Sequence, residues 1–360
     1  MLTILHTEAS LGWGGQEIRI LHESLGMIKR GYKVLVASPG ESTISKKAKE
    51  AGINVSPVYF QKRNPTSILK MVSLLNREKF NIINTHSSSD SWVATIAAKI
   101  SPNKPKIIRT RHLSTPISNS FLSRLIYDIL PDALVTTGES IRERMINYNR
   151  FDASKIYLIP TGIDLKQFDP ARVRRAFYTD CFSVGMVGVL RSWKGHRYFL
   201  EAIPIILKQI PDAYFYIVGD GPQRENITNL IKKLNLQEKV VLLGHREDIP
   251  EIMASLDVIV HPSYANEGVP QSILQAMAME KPVVASDAGS IKEVVINKET
   301  GFLTKPKNPE QLAEKVIELY KHPEYKKEFG KKGRKLVGEN YSLEDMLDKI
   351  ESLYKKLLNH

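Results

Sequence analysis

The sequence contains a single cysteine, Cys181, among its 360 residues. One cysteine cannot form a disulfide within the chain, and no group of Cys and His residues has the spacing of a zinc site. We therefore expect Cys181 to fill a strand core and not to act as a nucleophile.

Long hydrophobic runs are also absent. No stretch approaches the roughly 18–20 apolar residues that a membrane span needs. The first five residues, Met1 to Leu5, include no basic region and no small-residue cleavage site, which argues against a secretory signal. These absences predict a cytoplasmic protein.

Acidic residues are too few to balance the basic ones, and the net charge is +12. Residues 1–170 hold 23 Lys and Arg against 14 Asp and Glu, whereas residues 171–360 hold 28 against 25. A basic first half suggests an acidic partner, such as nucleic acid, anionic lipid or a phosphorylated substrate. A solvated basic surface without a specific partner explains the charge equally well. The basic residues are scattered and not interleaved with aromatics, which disfavours a binder of single-stranded nucleic acid.

Short apolar runs alternate with helical patterns along nearly the whole chain. The predicted strands are 2–6, 33–37, 81–85, 106–110, 133–137, 156–159, 183–189, 213–218, 239–243, 257–260, 282–285 and 301–304. The predicted helices are 16–29, 66–78, 90–99, 196–209, 223–235, 248–254, 271–279, 290–296, 309–320 and 343–358. This alternation indicates parallel sheets covered by helices on both faces. Because the pattern restarts after a break near 161–180, it predicts two doubly wound α/β domains.

Glycines mark the first strand-to-helix turn, Gly12-Trp13-Gly14-Gly15. Glycine lets the backbone approach a ligand closely, and the next helix offers its N–H groups to an anion. The turn is not a dinucleotide-binding fingerprint, because Glu17 stands where that motif needs a third glycine. By itself the turn is compatible with a ligand site or with an ordinary tight turn.

Two cations follow the first strand of the second half. Arg191 and Lys194 precede Gly195 at the carboxyl end of strand 183–189. An Arg fork and a Lys point charge at that position could neutralise a diphosphate. A solvated basic turn is the competing interpretation.

The segment 261–277 carries the strongest pattern. It places the carboxylate of Glu267 in a glycine-containing loop, then Pro270 at the start of a helix that contains Gln275. A carboxylate can accept hydrogen bonds from sugar hydroxyls, and the helix N-terminus near 271–273 can face a phosphate.

These residues resemble the E-x7-E signature of the retaining glycosyltransferases of family 4, which have the GT-B fold. Further segments resemble that family in the same order along residues 3–340. They are Gly14-Gly15-x-Glu17, Ile159-Pro160-Thr161-Gly162-Ile163-Asp164, Lys281 to Gly289, and Thr300-Gly301-Phe302-Leu303.

The resemblance implies a GT-B architecture, with two Rossmann-like domains and a cleft between them. Residues 1–165 would form an acceptor-binding domain and residues 166–340 a nucleotide-sugar-binding domain, with a terminal helix in 341–360 packing back on the first. The implied activity is retaining transfer of a sugar from a nucleotide-diphosphate sugar, with UDP favoured. The acceptor would be a glycan or lipid-linked glycan in bacterial polysaccharide or lipopolysaccharide synthesis.

The resemblance also assigns residue roles. Glu267 would contact donor-sugar hydroxyls, Arg191 and Lys194 the diphosphate, and Gln275 the ribose. His112 would lie near the donor sugar and the leaving phosphate. The remaining donor-binding positions are Gly14, Gly15, Gly268, Val269, Gln271 and Ser272. The acceptor-cleft positions are Glu17, His86 and Arg111.

The sequence departs from the family pattern at two positions. Gln275 replaces the second glutamate of the signature, and Pro270 stands where glycine is usual, which removes a backbone donor. Moreover, none of the 14 aspartates is followed by another two positions later. Transferases of the other large fold hold a divalent ion with such a pair, so we expect Arg191 and Lys194 to replace a metal and no cofactor to be needed.

Two alternatives remain open at this point. A nucleotide-sugar epimerase would use the same donor without an acceptor, and a binder of anionic polymers would use the basic first half. In addition, segment 117–130 spaces Phe121, Leu122, Leu125, Ile126 and Ile129 like a helix face, with Arg124 beside them. This face could pack into the core or attach to an anionic membrane surface.

Overall fold

The computed structural model describes residues 2–61, 64–112, 115–178, 180–265 and 267–359. It divides into two compact units, one formed by Met1–Gly162 and Leu343–His360 and the other by Ile163–Ser342. The sequence predicted domain boundaries between residues 165 and 166 and between residues 340 and 341. Each unit contains one parallel sheet with helices packed against it.

The first unit has a seven-stranded sheet in the order β3-β2-β1-β4-β5-β6-β7. Its strands are β1 Thr3–Thr7, β2 Lys33–Ser38, β3 Asn54–Pro57, β4 Ile82–Thr85, β5 Lys106–Arg111, β6 Ala133–Thr136 and β7 Ile156–Leu158. Its helices are α1 Gly15–Lys29, α2 Thr43–Glu50, α3 Pro65–Glu78, α4 Ser88–Ile100, α5 Phe121–Arg124, α6 Glu139–Asn147 and the C-terminal α13 Leu343–Leu358.

Both faces of this sheet are buried. Successive side chains of β1 point to opposite faces, so Ile4 and Leu5 belong to two different core clusters. Helix α13 covers the Ile4 face, because its apolar residues recur every three or four positions. Its core residues are Met346, Leu347, Ile350, Leu353, Tyr354 and Leu357.

The second unit has a six-stranded sheet in the order β10-β9-β8-β11-β12-β13. Its strands are β8 Ser183–Val187, β9 Tyr214–Val218, β10 Val240–Gly244, β11 Val258–His261, β12 Val283–Ser286 and β13 Gly301–Thr304. Its helices are α7 His196–Leu207, α8 Arg224–Lys233, α9 Ile249–Ala254, α10 Gln271–Ala278, α11 Pro309–Lys321 and α12 Pro323–Asn340. Alternation in β9 again separates two core clusters, with Phe215 and Ile217 in one and Tyr216 and Val218 in the other.

Helices α2, α6 and α12 and strand β3 were not among the predicted elements, and one predicted helix is only a short turn. Strand β3 was missed because it is a short edge strand, paired only with β2, whose side chains are half-buried or exposed. The predicted helix 290–296 is only a 3₁₀ turn, Ile291–Glu293. Helix α12 was missed because two of its four buried residues are the glycines Gly330 and Gly333, which leaves only Phe329 and Val337 as fully buried apolar side chains. A Cβ at Gly330 would lie 2.1 Å from the carbonyl oxygen of Glu280.

Segment 117–130 forms two turns of different kinds. Helix α5 is followed directly by a π-helical turn, Leu125–Ile129. Ile126 packs into the core, whereas Phe121 is 72% exposed, Leu122 44% and Ile129 51%. The apolar face expected from the sequence is therefore divided between core and solvent. In the part of the chain that the structure describes, no helix has the length and hydrophobicity to cross a membrane.

Candidate active site

The second unit brings two polar loops together at the centre of its sheet. Strands β8 and β11 are neighbours, but their connections run to opposite sides, so their carboxyl ends form a topological switch point. Open α/β sheets bind ligands beyond the carboxyl ends of the strands at such points. Arg191 and Lys194 lie on the loop after β8, and Glu267 lies on the loop after β11.

Gly195 allows these two loops to pack against each other. Its φ is +81°, and an added Cβ would lie 1.9 Å from the carbonyl oxygen of Pro262. Only glycine satisfies both the dihedral angle and the close approach. A backbone hydrogen bond from Tyr264 N–H to the Trp193 carbonyl, 3.0 Å, also joins the loops.

Lys194 and Glu267 form an ion pair between the two loops. The Lys194 Nζ lies 2.6 Å from Oε2 of Glu267, and their side chains are 20% and 12% exposed. The hydroxyl of Ser263 lies 2.6 Å from Oε1. The backbone of Glu267 is held as well, because its carbonyl accepts from Ser290 N–H at 2.8 Å. The carboxylate is thus fixed at both oxygens.

The histidines near the ion pair carry no charge at pH 7, whereas Glu267 is ionised. Burial would raise the pKa of Glu267, but the nearby Lys194 charge and His261 outweigh it and hold that pKa well below its ordinary value. His261 Nε2 lies 3.7 Å from the carboxylate, beyond hydrogen-bond length. Burial lowers the pKa of His261. Burial and the Lys194 charge lower the pKa of His196, the first residue of α7, to about 4. Both imidazoles are therefore neutral at pH 7.

Arg191 is more exposed than Lys194. Its guanidinium carbon lies 5.2 Å from the centre of the Trp193 ring, a cation–π contact. Among the described residues, no carboxylate lies within ion-pair distance of Arg191. This cation is therefore available to an anionic ligand.

The predicted donor-binding residues of α10 and its preceding loop lie beside Glu267. Val269 is buried in the core, so only its backbone can meet a ligand. Gln271 and Ser272 begin helix α10, and the Ser272 hydroxyl lies 3.4 Å from His261 Nδ1. Gly268 and Gln275 are half-buried.

In the first unit, Gly14, Gly15 and Glu17 lie at the start of α1. Gly14 precedes the helix, and Gly15 is its first residue. The Glu17 side chain is buried, and its Oε2 accepts from Gly14 N–H at 2.9 Å. Glu17 therefore caps its own helix and occupies a donor that an anion would need.

His86 and His112 belong to a chain of three histidines. His6 Nδ1 lies 3.0 Å from His86 Nε2, and His86 Nδ1 lies 3.0 Å from His112 Nε2. Consecutive rings are stacked, with centroids 5.2 Å apart. Because both nitrogens of the buried His86 ring are engaged, the ring has no nitrogen left for a direct contact with an acceptor.

Arg111 is held by residues of the same unit. Its Nη2 donates to the carbonyl and the hydroxyl of Thr115, and its Nη1 donates to Oη of Tyr127 at 3.2 Å. Arg109 donates to the same Tyr127 oxygen at 2.8 Å. Burial would raise the pKa of Tyr127, but the two guanidinium charges outweigh it and lower that pKa.

The sequence interpretation had assigned no role to His6, Ser263, His261 or His196. His261 and Ser263 fall inside the resembling segment and could have been singled out there. His6 gave no local signal, because it is one polar residue in an apolar strand. Among the described residues, no cluster of three or more His, Cys, Asp or Glu side chains is placed to hold a metal ion.

The ion pair generates a testable effect on stability. We expect Lys194→Met to lower the free energy of unfolding by about 1–3 kcal/mol at pH 7, because it leaves the Glu267 charge without its partner. In the wild type, the depressed pKa of Glu267 contributes stability above its ordinary value of 4.5, and this contribution is lost as pH falls below 4.5. In the variant, burial dominates and raises the pKa, so stability is lost as pH rises above 4.5.

The difference between the two proteins should therefore be largest at pH 7 and shrink in acid. Urea unfolding between about pH 3 and pH 8 measures it. The double variant Lys194→Met/Glu267→Gln is the control, since it removes both charges and should recover part of the loss. An equal difference at every pH would show that Lys194 contributes packing alone.

Two family models match the chain, one in each unit. Residues 13–167 match the model described as Glycosyltransferase Family 4. Residues 168–336 match the model described as Glycosyl transferases group 1.

Individual relatives agree with these matches. The chain is 30% identical to the UDP-Gal:alpha-D-GlcNAc-diphosphoundecaprenol alpha-1,3-galactosyltransferase of Escherichia coli over 306 residues, 80% of this chain and 78% of that protein. Among solved structures, a glycosyltransferase from Rickettsia africae has a TM-score of 0.90 at 27% identity, covering 99% of this chain and 98% of the other. Anabaena HepE, solved with UDP and glucose, has the same fold, with a TM-score of 0.88 at 21% identity, covering 99% and 100%. The chain therefore belongs to the GT-B glycosyltransferases that combine a family 4 domain with a group 1 domain.

Proposed function

We propose that this glycosyltransferase transfers a sugar from a UDP-sugar to a glycan or lipid-linked glycan acceptor, with retention of the anomeric configuration and without a metal ion. The name of the E. coli relative supports the donor and a lipid-linked acceptor, because that enzyme uses UDP-Gal and a diphosphoundecaprenol glycan. The UDP and glucose bound to Anabaena HepE support the same donor class. None of the relatives reported above is an epimerase.

The observation that carries the proposal is the Lys194–Glu267 ion pair at the switch point of the second unit. A carboxylate held by Lys194 and Ser263 remains ionised and can still accept hydrogen bonds from sugar hydroxyls through its remaining lone pairs. Lys194 has three N–H donors, so it can keep Glu267 and also reach a phosphate oxygen. The two members of one ion pair would thereby contact the sugar and its leaving diphosphate at the same time.

The diphosphate is assigned to cations and a helix end. Arg191 is exposed on the same loop as Lys194, and the N-terminus of α10 offers the backbone N–H group of Ser272. Positive charges and oriented N–H groups stabilise the charge that develops on a departing diphosphate. This electrostatic role replaces a divalent ion in the proposed mechanism.

Retention requires that the acceptor enter on the face from which the diphosphate leaves. We assign Glu267 to the sugar hydroxyls, and its hydrogen bonds to Lys194 and Ser263 make its carboxylate a weaker nucleophile. We therefore assign front-face attack by the acceptor hydroxyl. We keep the proposal that His112 lies near the donor sugar.

Donor turnover tests the proposal. With UDP-galactose, UDP-glucose and UDP-N-acetylglucosamine and a lipid-linked glycan acceptor, we expect UDP release and an α-linked product from at least one donor. Glu267→Gln should lower kcat by about one to two decades, because a charge-assisted hydrogen bond contributes roughly 1.5–3 kcal/mol. Glu225→Gln, an exposed carboxylate of α8, is the control and should be fully active.

Each part of the proposal has its own readout. Proton NMR of the product identifies the anomer, and a β-linked product would contradict retention. Full inhibition by a chelator, reversed by added metal, would contradict the metal-free mechanism. If UDP neither binds in a thermal-shift assay nor is released from any donor, the donor class is wrong.

Gln275 should affect donor binding more than chemistry. Its amide can bridge the ribose diol by accepting from one hydroxyl and donating to the other. This contact is far from the bond that breaks, so its loss should raise KM more than it lowers kcat. We expect Gln275→Ala to weaken UDP binding by about 1–2 kcal/mol in calorimetry, and Gln275→Glu to preserve it.

The surface glutamine Gln237 is exposed and serves as the matched control in Gln237→Ala. Unchanged UDP affinity in Gln275→Ala would remove the ribose assignment.

A membrane contact is a separate part of the proposal. The exposed side chains of Phe121, Leu122 and Ile129 follow one another along α5 and its π-helical turn, with the exposed Arg124 among them. Apolar side chains beside a cation suit the interface of an anionic membrane, and the first half of the chain is basic. A lipid-linked acceptor would require such a location.

Vesicle co-sedimentation tests this contact. We expect the protein to sediment with anionic vesicles and not with neutral ones, and less at high salt. Phe121→Ser/Leu122→Ser should abolish sedimentation, because it removes most of the exposed apolar area. Leu69→Ser removes a side chain that is 69% exposed elsewhere on the unit and should have no effect. Equal losses in both variants would indicate nonspecific adsorption.

A further inference from the structure

The two hydrogen bonds of the three-histidine chain in the first unit run in the same direction from donor ring to acceptor ring. The contacts of the chain determine which of the two possible directions this is. His6, His86 and His112 lie at the ends of β1, β4 and β5, which are adjacent in the sheet. Burial lowers the pKa of all three. Each ring is therefore neutral at pH 7 and carries one N–H.

Counting protons leaves two arrangements. Each of the two 3.0 Å contacts between ring nitrogens needs one N–H, so two of the three protons lie inside the chain. The third lies at one end, either on His6 Nε2 or on His112 Nδ1. In the first arrangement every ring is protonated on Nε2, and in the second every ring is protonated on Nδ1.

The carboxylate of Glu23 distinguishes the two arrangements. Its Oε1 lies 3.7 Å from His6 Nε2, and both side chains are no more than 1% exposed. A proton on Nε2 faces the negative charge favourably, whereas a lone pair there would face it unfavourably. The third proton therefore stays at the His6 end.

Glu23 itself is held in place by three neighbours. Tyr354 of α13 donates to Oε1 at 2.8 Å, and Asn84 donates to it at 3.3 Å. Arg19 Nε lies 3.8 Å from Oε2 and stays charged because a guanidinium does not lose its proton in proteins. The carboxylate cannot turn away from His6 without losing these contacts.

We propose that Glu23, acting through His6 and His86, is a positioning residue that orients the histidine chain so that His112 presents an unprotonated Nδ1 and accepts a hydrogen bond from the substrate. The substrate contact rests on the proposed function, whereas the direction of the chain does not. His112 is half-buried, and Nδ1 is the ring nitrogen that the chain leaves unused. The unprotonated Nδ1 would accept a hydrogen bond from a substrate hydroxyl and could not protonate a leaving group.

Histidine ring nitrogens report the direction by NMR. In the full-length, unliganded protein labelled with ¹⁵N-histidine, His112 is assigned from the signals missing in His112→Asn. We expect Nδ1 of His112 to show the shift of an unprotonated nitrogen and Nε2 that of a protonated one. Glu23→Gln removes the charge and should move the Nδ1 shift toward the protonated value.

Two further variants separate orientation from packing. His6→Phe keeps a flat ring but cuts the chain from Glu23, so it should produce the same movement even if Glu23→Gln does not fold. Tyr354→Phe removes one donor but keeps the Glu23 charge, so it should leave the His112 shifts unchanged. A protonated Nδ1 in the wild type overturns the proposal, as do unchanged shifts in both Glu23→Gln and His6→Phe.

Activity measurements distinguish this proposal from the proposed function. If the shifts agree with the prediction but His112→Asn transfers sugar normally, the chain is oriented as proposed and the substrate role of His112 is wrong. A movement in Tyr354→Phe as large as in Glu23→Gln would show that packing, and not charge, sets the direction.

Discussion

The parallel pairing of every strand in the two sheets constrains where chemistry can occur. Both faces of each sheet are covered, so the strand interiors have room for apolar side chains and little else. Hydrogen-bonding and charged groups therefore accumulate where strands end, as the Lys194–Glu267 pair does in the second unit. In the first unit the same constraint gathers His86 and His112 beside His6 at the ends of three adjacent strands.

Buried charge in both units is balanced locally. The positive charge of Lys194 balances the negative charge of Glu267, and the charge of Arg19 lies near that of Glu23. Removing two charges from water has a large desolvation free energy. The attraction between the charges offsets it only when the geometry is good and additional hydrogen bonds are made. Ser263 supplies such a contact to Glu267, and Tyr354 supplies one to Glu23. These arrangements are weak sources of stability, but they hold a carboxylate in one position before any ligand arrives, which is what electrostatic catalysis requires.

The sequence predicts this architecture well because parallel strands are short apolar runs and helix α13 has a regular apolar stripe. It fails where the physical signal is not periodic hydrophobicity, as in α12, where Gly333 packs against Met277 of α10 and Gly330 against the Glu280 backbone that follows α10. The Lys194–Glu267 pairing was not predicted, because β8 and β11 become neighbours only through the strand order of the second sheet. The histidine chain could not be deduced, because residues 6, 86 and 112 become neighbours only through the strand order β1-β4-β5.

Each unit places neutral histidines near charged side chains that are held in position. Burial lowers the pKa of His261 and His112 alike, so neither imidazole carries charge at pH 7. The charged partner of Glu267 is instead Lys194, and Arg191 lies more exposed on the same loop as Lys194. In the proposed reaction the diphosphate leaves with increasing negative charge, and permanent cations can stabilise it without a proton transfer.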